Sequence, residues 1–167
     1  SDSGTPHTLN NQFVLSGGLN LGDAIDNGTL TLNGLIDANG AARTANIYSD
    51  VVVNNAITNV GGDFIKQQTG NLTLRGPNGA LHLGGNYLQV TNGMVTVDGG
   101  MVTNGSSVRL CTSLTNGNTR LVVKNGGAVQ FGLTNASVRL GLKGGSATST
   151  NIVDVAGLIA WPPSPGG

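Results

Sequence analysis

One pattern constrains this chain more than any other: a short run of alternating polar and aliphatic residues that recurs ten times. It begins with Thr29-Leu30-Thr31-Leu32 and returns as Asn71-Leu72-Thr73-Leu74, Ala80-Leu81-His82-Leu83 and Tyr87-Leu88-Gln89-Val90. Met94-Val95-Thr96-Val97, Ser107-Val108-Arg109-Leu110, Arg120-Leu121-Val122-Val123 and Ala128-Val129-Gln130-Phe131 follow. Ser137-Val138-Arg139-Leu140 and Asn151-Ile152-Val153-Asp154-Val155 close the series. Alternation of this kind describes a strand with one buried and one solvated face. Between the strands lie Asn-Gly and Gly-Gly pairs, which accept the positive φ of tight corners.

Strands so short and so numerous fit either antiparallel hairpins or a coiled parallel solenoid. Self-similarity favours the solenoid: Met94-Val95-Thr96-Val97-Asp98-Gly99-Gly100 runs straight into Met101-Val102-Thr103-Asn104-Gly105. Tyr87, Ser107 and Ala128 each start a comparable strand about 20 residues after the last, the repeat length of stacked rungs. Composition agrees. Gly supplies 28 residues, aromatics only 4% and charged residues 10%, and all eight acids are Asp. Without Glu, and with few Lys, Arg and Gln, the chain lacks the residues that cover exposed helix faces. The apolar share of 38% is too high for disorder.

The expected architecture is therefore all-β: a single-stranded parallel β-helix with short strands and Asn/Gly-rich corners. The alternative is a β-sandwich subunit of pilin type, with residues 1–16 as a donor strand for a neighbour. In the solenoid reading, 1–16 is an extended N-terminal segment serving assembly, 17–157 holds the repeats, and 158–167 is an apolar then Pro/Gly-rich tail. From Leu35 to Gly70 the pattern loosens, which reads as less ideal rungs with longer loops. Asn at successive corners is expected to form a hydrogen-bonded amide ladder. Leu72, Leu74, Leu81, Leu83, Val95, Val97, Val108, Leu110, Val129, Phe131, Val138, Leu140, Val153 and Val155 are expected to point inward. The intervening Thr73, His82, Thr96, Arg109, Gln130, Arg139 and Asp154 are expected to face solvent.

Gly70-Asn71-Leu72-Thr73-Leu74-Arg75-Gly76 and Gly28-Thr29-Leu30-Thr31-Leu32-Asn33-Gly34 share a Gly-x-Leu-Thr-Leu-x-Gly core. These units resemble the repeats of autotransporter-associated β-strand proteins. Gly93-Met94-Val95-Thr96-Val97-Asp98-Gly99-Gly100 and Thr150-Asn151-Ile152-Val153-Asp154-Val155-Ala156-Gly157 are similar to related Gly-rich repeats of bacterial surface proteins. The resemblance implies a right-handed parallel β-helix in a secreted or surface-displayed bacterial protein, and it implies no catalytic residues.

Searching for chemistry returns little. The formal net charge is +0, with no run of Lys or Arg, so no nucleic-acid partner and no basic membrane patch is expected. No apolar stretch approaches the roughly 20 residues of a membrane-spanning helix, so no membrane insertion is expected. Cys111 stands alone and reads as a small strand hydrophobe. Asp63, His82 and Asp98 are the best catalytic candidates, but carbohydrate cleavage asks for two carboxylates at a set separation. Asp23 and Asp26 lack the repeated units of a calcium-binding β-roll and read as turn residues. The sequons at Asn27, Asn71, Asn104 and Asn135 fall within what chance supplies in an Asn- and Thr-rich chain. No enzyme activity, catalytic residue, cofactor or metal is expected.

What remains is a structural role: a subunit of an extracellular bacterial filament, sheath or surface stalk that assembles with itself, head to tail. The start at Ser1 reads as a processed chain, consistent with secretion or cell-surface display. Phe13, Val14 and Leu15 near one end and Leu158, Ile159 and Trp161 near the other are the self-assembly candidates, since neither end carries a polar cap. The competing reading is a surface adhesin or carbohydrate-binding β-helix module with a cell-surface or extracellular polysaccharide as partner. A third reading, an unusual polysaccharide-active enzyme, rests on Asp63, His82 and Asp98 alone.

Overall fold

A computed structural model describes residues 4–22, 25, 28–110, 118–133, 135–140 and 150–162, with only the backbone given at Asn104 and Leu140. The chain climbs as a stack of rungs. The first comprises β1 (His7–Leu9), β2 (Phe13–Val14) and β3 (Leu19–Leu21). The next two contain β4 (Leu30–Leu32) with the long β5 (Ile36–Ile47), and β6 (Val51–Val53) with the long β7 (Ala56–Gln67). Above them come β8 (Asn71–Arg75), β9 (Ala80–His82) and β10 (Tyr87–Val90), then β11 (Gly93–Asp98), β12 (Met101–Gly105) and β13 (Ser107–Leu110). β14 (Asn118–Lys124), β15 (Ala128–Phe131) and β16 (Ser137–Leu140) form the sixth rung, and β17 (Thr150–Val155) with β18 (Leu158–Ala160) lies on top.

Every strand-to-strand ladder among the described residues is parallel, which rules out the β-sandwich alternative. Each rung turns through three faces. The first face is the seven-stranded sheet β1-β4-β6-β8-β11-β14-β17. The second and third belong to one eleven-stranded sheet, because β5 and β7 run through the corner between them without a break. At that corner Asn39 and Gly40 take φ of 55° and 65°. One rung up, a Cβ on Gly61 would run into the Gly40 carbonyl oxygen, so only glycine fits.

Two expectations about the repeat change here. The similar segments at Met94 and Met101 are consecutive strands on neighbouring faces of one rung, separated by the Gly99-Gly100 corner. Each stacks on its own column, β11 on β8 and β12 on β9. Tyr87 does stack on Ser107, but the next residue in that column is Ser137, whereas Ala128 stacks on Met101. The 35–70 region is also tighter than its composition implied. It holds the two longest strands, and Leu30, Val51 and Leu72 follow one another at 21 residues, against 32 from Arg120 to Ile152. Its Asn-Gly and Gly-Gly pairs bend strands where loops were expected. Pairing also reaches beyond residues 17–157 at both ends: β1 and β2 belong to the first rung, and β18 lies on β15.

The core is a set of inward columns. Leu72, Val95 and Leu121 stack in register, as do Leu74, Val97 and Val123, all essentially solvent-free. Leu81, Leu83, Val108, Leu110, Val129 and Phe131 are buried as expected, and half-buried Val138 and Val153 pack against them. Val155 is the exception at 43% exposed: among the described residues β17 has a rung beneath it and none above. His82, Gln130, Arg139 and Asp154 are exposed and Arg109 is partly so. Thr73 and Thr96 correct the register reading: they sit on the outward side of the first face yet are buried. Neighbours in register and the Asn71 amide cover them, Asn71 donating to Thr73 Oγ1 and accepting from Thr96 Oγ1.

Two cations enter this apolar interior. Arg43 stacks in the same column as Phe64 and Leu88, and its guanidinium donates to the carbonyls of Ala38 and Leu15 at 2.8 and 2.6 Å. Lys66 has no exposed surface and donates from Nζ to the carbonyls of Gln68 and Asn92. Burial pulls its ammonium down to about 7, with the Asp50 carboxylate opposing the shift.

Candidate functional site

The first place to look is the two ends of the stack. Among the described residues β1, β2 and β3 have partners only above them, and β16, β17 and β18 only below. Each end thus presents strand edges on three faces, with backbone donors and acceptors that can extend the ladder. The candidate assembly residues divide by exposure. Val14 is 70% exposed and Leu158 52%, whereas Phe13 and Ile159 are half-buried against the core and Leu15 is buried. Trp161 is 47% exposed but anchored: its ring centroid lies 5.2 Å from that of Phe131, and its Nε1 donates to the Ala136 carbonyl. The structure adds Leu9, Ile152 and Val155 to the exposed apolar side chains near the ends. Alternation alone could not reveal Leu9 and Val155, inward residues with a described rung on one side only, whereas Ile152 stands on the outward side in register with Arg120.

The second place is the outer surface of the first face. Two adjoining depressions of about 430 and 310 Å³ share Asn71, Met94 and Arg120. Asp50 and Thr119 line one; Arg75, Asp98 and Lys124 line the other. Arg120 pairs with Asp154 at 2.7 Å, and Lys124 lies 3.6 Å from Asp98. This groove escaped sequence reading because its lining comes from residues up to 102 positions apart, Asp50 to Ile152.

The catalytic candidates are engaged separately. His82 shares a 2.6 Å hydrogen bond with Thr103 Oγ1, Asp63 accepts from the Tyr87 backbone N–H, and Asp98 faces Lys124 and Asn125. Asp23, Asp26, Asn27 and Cys111 lie outside the described residues. The corner amide ladder is present: Asn33 donates to Asn10 at 2.7 Å, and Asn54 donates to Asn33 at 2.9 Å. A second step of the same kind joins Asn46 to Asn20.

No protein-family model, no curated protein and no solved structure matches the chain.

Proposed function

We propose that this protein is a structural subunit of an extracellular bacterial filament, sheath or surface stalk, assembling with itself through the ends of the solenoid. The observation that carries this reading is the pair of three-sided ends, each with one-partner strands and exposed apolar side chains. A strand edge is completed by another parallel strand at the same spacing, and a second copy of this chain offers one. Joining unlike ends yields an open filament when the rotation does not close. The test is electron microscopy with sedimentation of the purified chain. Filaments are expected, and V14D together with L158D should yield folded monomers. A chain that remains monomeric at high concentration would falsify the reading.

The groove on the first face favours a second reading, a polysaccharide-binding surface. Its hydroxyl, amide and charged side chains recur at the rung spacing of about 4.8 Å, close to one sugar unit. Soluble glycan fragments titrated against the chain should then perturb Asn71 and Arg120, and R120A should abolish the response. Release of new reducing ends would instead point to catalysis.

A further inference from the structure

Two columns of side chains cover the outer surface of the third face over its upper rungs, Tyr87-Ser107-Ser137 and Gln89-Arg109-Arg139. Leu88, Val108 and Val138 between them pack into the core, so alternation sends both columns outward. Arg109 and Arg139 therefore stand in register on neighbouring strands about 4.8 Å apart, a like-charge juxtaposition that weakens a ladder. Both lean the same way. The Arg109 guanidinium carbon lies 3.5 Å from the centre of the Tyr87 ring, and Arg139 Nε donates to Ser137 Oγ at 2.9 Å.

Among the described residues neither arginine has a carboxylate within ion-pair distance. The described aspartates are engaged elsewhere: Asp37 by Asn39 and Asn59, Asp50 by the Asn71 N–H, and Asp63 by the Tyr87 N–H. Asp98 faces Lys124 and Asn125, and Asp154 pairs with Arg120. The stretches that follow the two arginine strands in the sequence, residues 111–117 and 141–149, contain no Asp or Glu. Acceptors are short as well. Arg109 Nε is buried without a hydrogen-bond partner, a donor that the fold itself leaves unmet. Stacking on Tyr87 holds the guanidinium by its face and leaves the N–H groups at its edge available. Ser137 takes only Nε of Arg139, so the terminal nitrogens have no partner among the described residues. The surface thus carries two planar forks of donors, the geometry that matches a carboxylate or a similar oxyanion.

We propose that the outer surface of the third face binds an acidic polysaccharide, with Arg109 and Arg139 taking carboxylate or sulfate groups on neighbouring sugars. The rung spacing of about 4.8 Å is close to one sugar unit, so a chain laid along the axis meets one cation per rung. Anions placed there also relieve the repulsion within the arginine pair. A nucleic acid fits less well, because the Tyr87 ring is already covered by Arg109 and offers a base no stacking platform. The site is separate from the first-face groove and stands whether or not the ends of the solenoid join.

The test is calorimetric titration of the purified chain with polygalacturonate, dextran sulfate and plain dextran. Both acidic polymers are expected to bind and plain dextran is not. Affinity should fall about tenfold from about 50 to about 200 mM salt, as two charge contacts dictate. R109Q/R139Q should keep the wild-type circular dichroism and bind about tenfold or more weakly, having lost two charge-assisted contacts. Y87L keeps both charges and removes the ring that holds Arg109, so it should bind severalfold more weakly. Undiminished binding by both variants overturns the site. If R120A loses the acidic polymers and R109Q/R139Q does not, they lie in the first-face groove and the proposal fails. Inorganic sulfate that displaces the polymers at equal charge concentration overturns the polysaccharide in favour of a free anion. Oligo-dT bound more tightly than either polymer overturns it in favour of a nucleic acid. No binding of either polymer at low salt removes the site.

Discussion

The same corner of the rung is solved in two ways along this molecule. Immediately after the last inward residue of the first-face strand, the lower rungs place Asn10, Asn33 and Asn54, and the upper rungs place Arg75, Asp98 and Lys124. An amide carries both donor and acceptor, so identical amides can stack indefinitely, each giving to the one below. A charge cannot stack on itself, so the upper column alternates in sign, with Lys124 3.6 Å from Asp98. The lesson is that parallel stacking selects columns rather than residues. Whatever stands at a position must be compatible with its neighbours one rung above and below, and amides and alternating charges both meet that condition.

The comparison holds only if both halves share one core, and the largest effect should come from breaking that core. V53D beside the amide column and V97D beside the charged one each place an unpaired carboxylate where exposure is 1% or less. The cost of several kcal/mol matches a typical domain's whole stability, so both variants should lose the cooperative thermal transition followed by circular dichroism. R109A, on an outer column of the same stack, should cost at most about 1 kcal/mol. Equal tolerance at inner and outer sites would refute the inward register.

A smaller effect, confined to the lower half, comes from Lys66. Its folded pKa of about 7 lies below the ordinary lysine value near 10.5, so between those two pH values the unfolded chain binds the proton and the folded one does not. Stability should therefore rise as pH climbs from about 7 towards 10, by up to a few kcal/mol, with the burial penalty fully present below 7. K66M should flatten that part of the profile and raise the melting temperature at pH 6, because a buried cation is replaced by an apolar side chain of similar length. A melting temperature that stays level in the wild type over this range removes Lys66 as a titrating group.

The columns themselves separate the two halves at the scale of a single hydrogen bond. N33A removes one amide bond on each side and should cost about 1–2 kcal/mol in urea denaturation, nearly independent of salt. D98N should cost less than about 1 kcal/mol and abolish the salt dependence contributed by the Lys124 pair, since that pair is partly exposed. If both variants respond to salt alike, the distinction between amide and charge columns has no energetic meaning.

Much of the stack was legible. Alternation placed Leu72 to Phe131 on the inward side, and Asn at successive corners announced the ladder found at Asn10, Asn33 and Asn54. The misses share a cause. A period of two says which side of a strand a residue occupies, and nothing of how crowded that side becomes, so Thr73 and Thr96 read as solvent-facing. The local pattern does not mark Arg43 and Lys66 as buried, because the carbonyls that receive them lie up to 28 residues away, around corners. In the 35–70 region, Asn39-Gly40 and Gly61-Gly62 read as loop punctuation although strands continue through them. At the ends, the outward Val14 and Leu158 were named but Val155 was placed in the core, because its exposure depends on β17 pairing on one side only among the described residues.

Rung length varies without disturbing register, and this has a consequence for how such a chain can change over time. Steps of 21 residues in the lower stack and 32 at the top join the same inward column, with Leu121 facing Val153 as squarely as Leu30 faces Val51. Both steps begin and end on paired residues, so register is fixed by the column and not by the number of residues between two of its members. A rung can therefore gain length between two paired strands and still return to its column. Insertion between paired strands is therefore expected to be tolerated where substitution in an inward column is not, because only the columns carry the register.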